Sequence, residues 1–363
     1  MRRATGIALL IGLAAAVAAV LYAGLGAVAR SLASLRVDGL LLLVLLHLPA
    51  VALMGLAWWL ASGDDPPARG WRFVWARLIR DAGAETLPFL QVGGILLGLR
   101  ALGPGRATAV RGAVAASVDG IVELTAKLPY VLLALWVLLG LAPHSRLERP
   151  LWLALVVTAG LVAPFLFARR SLGPLLARAT RALSRRFSAM LALEEASIGG
   201  EIRDSFERIL RQRARLASGF AIHLGCWFLG AAETWVAFRL LGVNLSAPQA
   251  LAIDGAVMGL RTFGFMVPAA AGVQEGSYLL VAAVFGIPPA VGIAASLARR
   301  ARDLALGFAT FAIAALVDDN FSLRRLAPLI KRAGTRSLPE PVPAVSRNTS
   351  GARTPDRWTD PRP

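Results

Sequence analysis

Apolar residues in this chain arrive in long blocks separated by short, arginine-rich gaps. Gly39–Ala61 and Leu151–Ala168 are typical blocks. Each is close to the ~20 residues a helix needs to cross a ~30 Å hydrocarbon core. Six such blocks predict spanning helices at 7–28, 39–61, about 112–142, 151–168, 216–241 and about 303–319. The expected fold is therefore all-α, a polytopic transmembrane helix bundle. Two further apolar stretches do not read as ordinary spans. Residues 87–102 are too short, are interrupted by Gly93–Gly94 and close on Arg100, while 248–298 is broken at Pro268, Gly272, Gly276 and Pro288–Pro289. Both are expected to be re-entrant, broken-helix regions. The first block, Ile7–Val28, follows Arg2–Arg3 and exceeds the ~7–15 apolar residues of a cleavable signal. It is expected to be retained as a first helix.

Composition supports this picture. The chain has 363 residues, 56% of them hydrophobic, and a mean hydropathy of +0.62. A soluble domain carries about 45–50% apolar residues. The net charge is +17, and of 39 basic residues only Lys127 and Lys331 are lysines. Nucleic-acid binders carry their charge on a polar face. Here the arginines sit between apolar blocks, as cytoplasmic loops do, so no nucleic-acid partner is expected. Arg69, Arg72, Arg77 and Arg80 lie in 62–86, and eleven arginines oppose five acids in 169–215. With a cytoplasmic N-terminus, six spans and two re-entrant stretches place 62–86, 169–215 and the tail on one side. A multi-pass inner-membrane protein with both termini cytoplasmic is the expectation.

Residues 169–215 space Leu183, Phe187 and Leu191, then Phe206, Ile209 and Leu210, between arginines. That is an amphipathic segment expected along the anionic cytoplasmic leaflet, or else a solvated connector. The basic, Pro-rich tail 321–363 has few apolar residues and is expected to be disordered. Residues 1–320 then form one membrane domain.

Charges inside apolar spans mark the candidate chemistry, because burial of an unpaired one costs several kcal/mol. Asp119, Glu123 and Lys127 recur at i, i+4 and i+8, which puts them on one helical face. That face either lines a polar path or fixes register through a Glu123–Lys127 pair. Glu233 lies deep in the fifth block, and Arg239 can snorkel to its edge. Arg299, Arg300, Arg302 and Asp303 precede the last block. Arg299 and Asp303 are i, i+4 neighbours able to neutralise each other. The other guanidiniums either anchor at the interface or suit a lipid phosphate. Cys226 is the single cysteine, and three histidines stand at no ligand spacing, so no metal site is expected. His47 and His223 read as packing or hydrogen-bonding residues. No nucleophile motif, Walker loop or dinucleotide fingerprint stands in its required context, which predicts neither cofactor nor enzyme.

The broken stretches are the more specific signal. Leu87-Pro88-Phe89-Leu90-Gln91-Val92-Gly93-Gly94 and Val267-Pro268-Ala269-Ala270-Ala271-Gly272-Val273-Gln274-Glu275-Gly276 combine Pro, Gln and near-paired Gly, one in each half. Proline removes a backbone donor and glycine loosens the helix. Backbone opened at membrane depth must line a cavity or be buried in protein, and paired interruptions point to a transporter site between repeats. Gly98-Leu99-Arg100-Ala101-Leu102-Gly103 and Gly259-Leu260-Arg261-Thr262-Phe263-Gly264 also resemble each other.

From Ala271 to Gly276, through Phe285-Gly286-Ile287-Pro288-Pro289 and Ser296 to Leu304, the sequence resembles a known group. It is similar to the hopanoid-biosynthesis-associated membrane protein family HpnL, within the superfamily of flippase-like membrane regions of lysylphosphatidylglycerol synthases. Residues 87–94 resemble the group's first-half motif, with Ile95 departing from an expected acid. The resemblance implies a lipid transporter or flippase-like protein for hopanoid or phospholipid, with Gln91, Gln274, Glu275, Arg299, Arg302 and Asp303 as site residues. Gly93, Gly94, Arg100, Asp119, Glu123, Glu233 and Gly272 complete the lipid-transport candidates. No counterpart of the synthases' aminoacyl-transferase domain follows the last span, so lysyl transfer is not expected. A head-group-modifying enzyme, with Glu233 beside His223 and Glu275, and a scaffold for hopanoid-biosynthesis proteins are the alternatives. The sequence leaves the oligomeric state open.

Overall fold

The computed structural model describes residues 2–86, 91–143, 145–167, 195–266 and 270–317. All regular elements among them are helical. Helices α1 (Arg2–Ala23) and α2 (Leu25–Leu60) open the chain. Arg36 breaks α2 with a φ of 53°, so a short segment leads into the long one. The Arg36–Asp38 ion pair at this break is exposed. Helix α5 (Arg106–Leu141), α6 (Glu148–Phe167), α7 (Glu195–Arg211) and α8 (Arg213–Leu240) follow a helical pair, α3 (Gly70–Thr86) and α4 (Gln91–Leu102). The last third holds α9 (Ala247–Leu260), a 3₁₀ turn (Arg261–Met266), α10 (Val273–Val284) and α11 (Pro289–Val317). Among the described residues, three helices, α2, α5 and α8, are both long and apolar enough to cross a bilayer.

Of the two interrupted regions, the first is larger than its sequence suggests. Residues 70–86, which read as part of a basic loop, form α3. Its buried positions Phe73, Ala76, Arg77, Ile79, Ala82 and Gly83 recur at helical spacing. Helix α4 returns antiparallel to it: a Cβ on Gly94 would stand 2.4 Å from the Arg80 carbonyl oxygen, and one on Gly98 2.9 Å from that of Ala76. Gly94, expected to unwind the helix, thus lies inside it and lets two backbones touch. Small residues do this where helices meet in lipid. Arg111 bonds to Asp65, while Gln212 and Arg215 bond to Asp64. The loop after α2 therefore shares one end of the bundle with the starts of α5 and α8. We call this the basic end.

The second region enters from the opposite end. Tyr130 meets Asp254, Lys127 meets Thr262, and a Cβ on Gly255 would strike Ala134, so α9 runs antiparallel to α5. Its start is set by a capping box in which Ser246 and Gln249 bond reciprocally. Gly272, at φ +75°, opens α10, which runs back beside α11 with Gln274 at Ser296 and Tyr278 at Gly292. The stretch 248–298 is therefore α9, the turn, α10 and the first third of α11. Gly276 sits within α10 and breaks nothing. Helix α11 then runs to the basic end, where Ile313 and Val317 face Trp71.

The main core joins α5, α8 and α9 around Tyr130, Leu135, Leu138, Phe238, Ile253 and Val257. A second cluster sets Ile202, Phe206 and Ile209 of α7 against Ala61, Val110, Val114 and Val118. Within 169–215, the described helix α7 thus turns Ile202, Phe206 and Ile209 onto the protein, while Leu210 stays exposed. Leu183, Phe187 and Leu191, Pro88 and Pro268, and the tail 321–363 lie outside the described residues.

Candidate functional site

The described end of α3 meets the turn that follows α9 inside the bundle. Thr86, ending α3, abuts Gly307 in the second half of α11. Glu85 lies 3.9 Å from Arg261, which follows α9. Beside this contact, Lys127 donates to the Thr262 hydroxyl at 2.8 Å and lies 5.9 Å over the Trp227 ring. Of the two readings of the face shared by Asp119, Glu123 and Lys127, the register-fixing Glu123–Lys127 pair is not seen; Glu123 pairs with Arg77 and Lys127 with Thr262.

On the basic side of this contact, a cluster forms around α3, α5 and α8. Arg77 is buried, and its Nε donates to Asp81 at 2.8 Å. Its Nη1 donates to Glu123 at 3.4 Å and lies 3.8 Å from Asp119 Oδ2. Arg80 approaches the same oxygen at 4.0 Å. His223, fully buried, meets Asp119 Oδ1 through Nε2 at 2.9 Å. Asp119 Oδ2, His223 Nδ1 and an Arg80 Nη1 are buried without a hydrogen-bond partner. Asp119, Glu123 and His223 offer ligand atoms within 4.8 Å of one another, a spacing that suits a cation. The Arg77 guanidinium already supplies positive charge to both carboxylates, so these residues do not fit a resident metal ion well.

A second cluster joins α2, α8 and α11. Glu233 receives Arg302 Nη1 on one oxygen and lies 3.2 Å from His47 Nδ1 on the other. Arg302 also donates to Asp303, Nε at 3.0 Å and Nη2 at 2.5 Å. A third centres on Asp254, wholly buried, which accepts from Tyr130 at 2.6 Å, Thr234 at 2.8 Å and Arg299 at 3.0 Å. Arg299 therefore pairs with Asp254 and Tyr278 rather than with Asp303. Arg300 holds Glu275 at 2.5 Å, and that carboxylate also accepts the Gly272 N–H at 2.8 Å. Gln274 donates to the Ser296 carbonyl and hydroxyl, both at 3.2 Å.

These contacts sort the sequence-predicted residues. Asp119 and Glu123 come together, as do Glu233, Arg302 and Asp303. Gln274, Glu275 and Gly272 brace α10 against α11. The two guanidiniums expected to suit a phosphate, Arg300 and Arg302, each hold a carboxylate. Arg239 stays at the end of α8, over the Trp235 ring at 5.7 Å. Arg100 lies in the last turn of α4, where a cation suits the carbonyl end of a helix; it joins no cluster. Its look-alike Arg261 stands in the turn after α9, so the two similar hexapeptides occupy unlike places. Gln91 and Gly93 open α4, and their surroundings lie outside the described residues. Glu275 is not brought to Glu233 and His223. No described hydroxyl or thiol hydrogen-bonds to either histidine, and Cys226 points its thiol at the Ala50 carbonyl.

Sequence reasoning missed Asp254, Arg77, Asp81, Glu85 and the partners of both histidines. Asp254 carried a signal: it is a lone acid in an apolar run whose neighbours from Ala252 to Leu260 are all buried.

The model of one known family, the lysylphosphatidylglycerol synthase TM region, matches residues 8–310. No curated protein and no solved structure matches the chain.

Proposed function

Since the chain belongs to the lysylphosphatidylglycerol synthase TM region family and is a multi-pass helical membrane protein, we propose that it moves lipid across the bilayer. It is a flippase-like transporter of hopanoid or phospholipid in an inner membrane, of the HpnL kind, with both termini on the cytoplasmic side. It does no covalent chemistry on the lipid.

One observation carries this reading: α3 and the turn after α9 meet amid clusters each one positive charge short of neutrality. Around Asp119, two guanidiniums (Arg77, Arg80) face three carboxylates (Asp81, Asp119, Glu123). Around Glu233, one guanidinium (Arg302) faces two (Glu233, Asp303). Each cluster also sets a histidine beside a carboxylate, and one added proton would balance its charge. Intramembrane charges so placed are the usual parts of a proton relay or coupled carrier. The Asp254–Arg299, Glu275–Arg300 and Glu85–Arg261 pairs balance without a proton and hold the frame.

The test is reconstitution. Full-length protein in liposomes carrying a fluorescent phospholipid in both leaflets should let an external quencher bleach more than the outer half. Asp119→Asn and Glu233→Gln should each slow that exchange by about tenfold or more, the scale of ~1.4 kcal/mol on a barrier. Exchange no faster than in empty liposomes for every lipid tried, hopanoid included, would remove the proposal. A modified head group found by mass spectrometry would replace it with the enzyme reading.

A further inference from the structure

The basic end carries a second candidate site, away from both clusters. Two adjoining cavities lie where α3 starts and α4 ends, and Trp71 and Arg72 line both. The inner one, of about 440 Å³, is walled by Val74, Trp75, Leu78 and Ala101 and by Ile313 and Val317 of α11. It is apolar, and Trp71, Ile313 and Val317 are exposed around it. The outer one, of about 310 Å³, is lined by Arg69, Gly103, Pro104 and Thr108 among others. An apolar slot thus continues into a polar, cationic one.

The two arginines are placed to receive an anion. Among the described residues neither Arg69 nor Arg72 has a carboxylate partner. Arg72 Nη1 donates to the Leu102 carbonyl at 3.1 Å, and its guanidinium lies 5.4 Å over the Trp71 ring. Both contacts hold the fork in place and leave its charge uncancelled. Gly103, at φ +147°, completes the wall; a Cβ there would come within 3.2 Å of Arg72 Nη1. The N-cap of α5 is Gly105, which provides no side-chain cap, so the first N–H groups of that helix add positive potential beside Thr108. Arg69 is exposed and Arg72 half-buried; among the described residues, every other buried or half-buried arginine except Arg100 is matched by an acid, which makes Arg72 stand out.

We propose that this double cavity seats one membrane phospholipid, its phosphate between Arg69 and Arg72 and an acyl chain along Leu78, Ala101, Ile313 and Val317. Guanidinium forks bind phosphate bidentately. A tryptophan between the two halves suits the level of the head groups, where its ring is half apolar and half polar. A soluble phosphate ester would have no use for the apolar slot, and a neutral lipid none for the arginines. The seat shares no residue with the charge clusters, so it stands whether or not the protein transports lipid.

Native mass spectrometry of the purified full-length protein tests this. After delipidation, phosphatidylglycerol should rebind as a one-to-one adduct, while diacylglycerol and inorganic phosphate should not. Arg69→Ala with Arg72→Ala should cut the adduct by about tenfold or more, the loss expected of two charge-assisted contacts. Ile313→Trp, which fills the slot and keeps both charges, should cut it as well. Equal retention by all variants, or equal retention of diacylglycerol, would overturn the proposal. Transport by the charge-cluster variants has no bearing on the outcome.

Discussion

Helix α8 presents two histidine–carboxylate pairs ten residues apart, about 15 Å along its axis, and they are built to opposite standards. At the first, His223 meets Asp119 among two arginines, and three buried polar atoms lack a hydrogen-bond partner. At the second, Glu233 is held by Arg302 and His47, and none of its members is among the unpartnered buried atoms. Both carry one excess negative charge. The Glu233 cluster leaves no fully buried polar atom unpartnered, whereas the Asp119 cluster has unused buried donors and acceptors. Buried polar atoms left open are sites of strain, water or exchange. The first cluster is thus the one with room to change state, and the second is the fixed point.

That contrast can be broken most severely at Arg302. Arg302→Met leaves Glu233 and Asp303 buried without their cation, and removal of one partner from a buried pair costs about 3–5 kcal/mol. Thermal unfolding in detergent should show a large fall, and an unchanged midpoint would deny that this cluster is the fixed point. Gly94→Leu comes next. Its side chain would meet the Arg80 carbonyl, and overpacking of this kind costs about 1–3 kcal/mol. It should spread α3 from α4 and disturb the Asp119 cluster while the Glu233 contacts persist, which cysteine crosslinking across each site would distinguish. Asp119→Asn should alter stability by only about 1 kcal/mol, since it removes an excess charge and keeps the shape. Lipid exchange should nevertheless fall sharply; if stability fell as far as in Arg302→Met, the two clusters would be equivalent. Smallest of all, Lys127→Met should lose a hydrogen bond to Thr262 and a cation–π contact worth about 1 kcal/mol together, and leave both clusters as they are.

Much of this architecture was legible in the apolar blocks, because a span must be ~20 residues long whatever it packs against. The breaks between Thr86 and Gln91 and at Gly272 were legible too, since proline and glycine clustered in an apolar run mark where a helix stops. Residues 70–86 were not. Their charges at Arg77, Arg80 and Asp81 gave the look of a loop, and only the neighbours Asp119 and Glu123 make such a helix tolerable at depth. Pairing was the least legible feature. Asp119 and Glu233 stood out by their cost, yet nothing in chain order says that His223 answers one and His47 the other, or that Arg299 reaches Asp254. Gly94 misled for a related reason: glycine serves both to open a helix and to let two helices touch, and the choice between them is made by a partner far along the chain.

The contact of Glu85 with Arg261 has a mechanical meaning. A continuous helix answers a thicker bilayer by standing more upright, and a thinner one by leaning. Two short arms held at opposite surfaces would have no such freedom; a thicker bilayer would draw their ends apart and a thinner one drive them together. A joint so placed would respond to hydrocarbon thickness, through one carboxylate and one guanidinium 3.9 Å apart. Graded acyl-chain length in liposomes should therefore alter lipid exchange in the intact protein and lose that influence in Glu85→Ala.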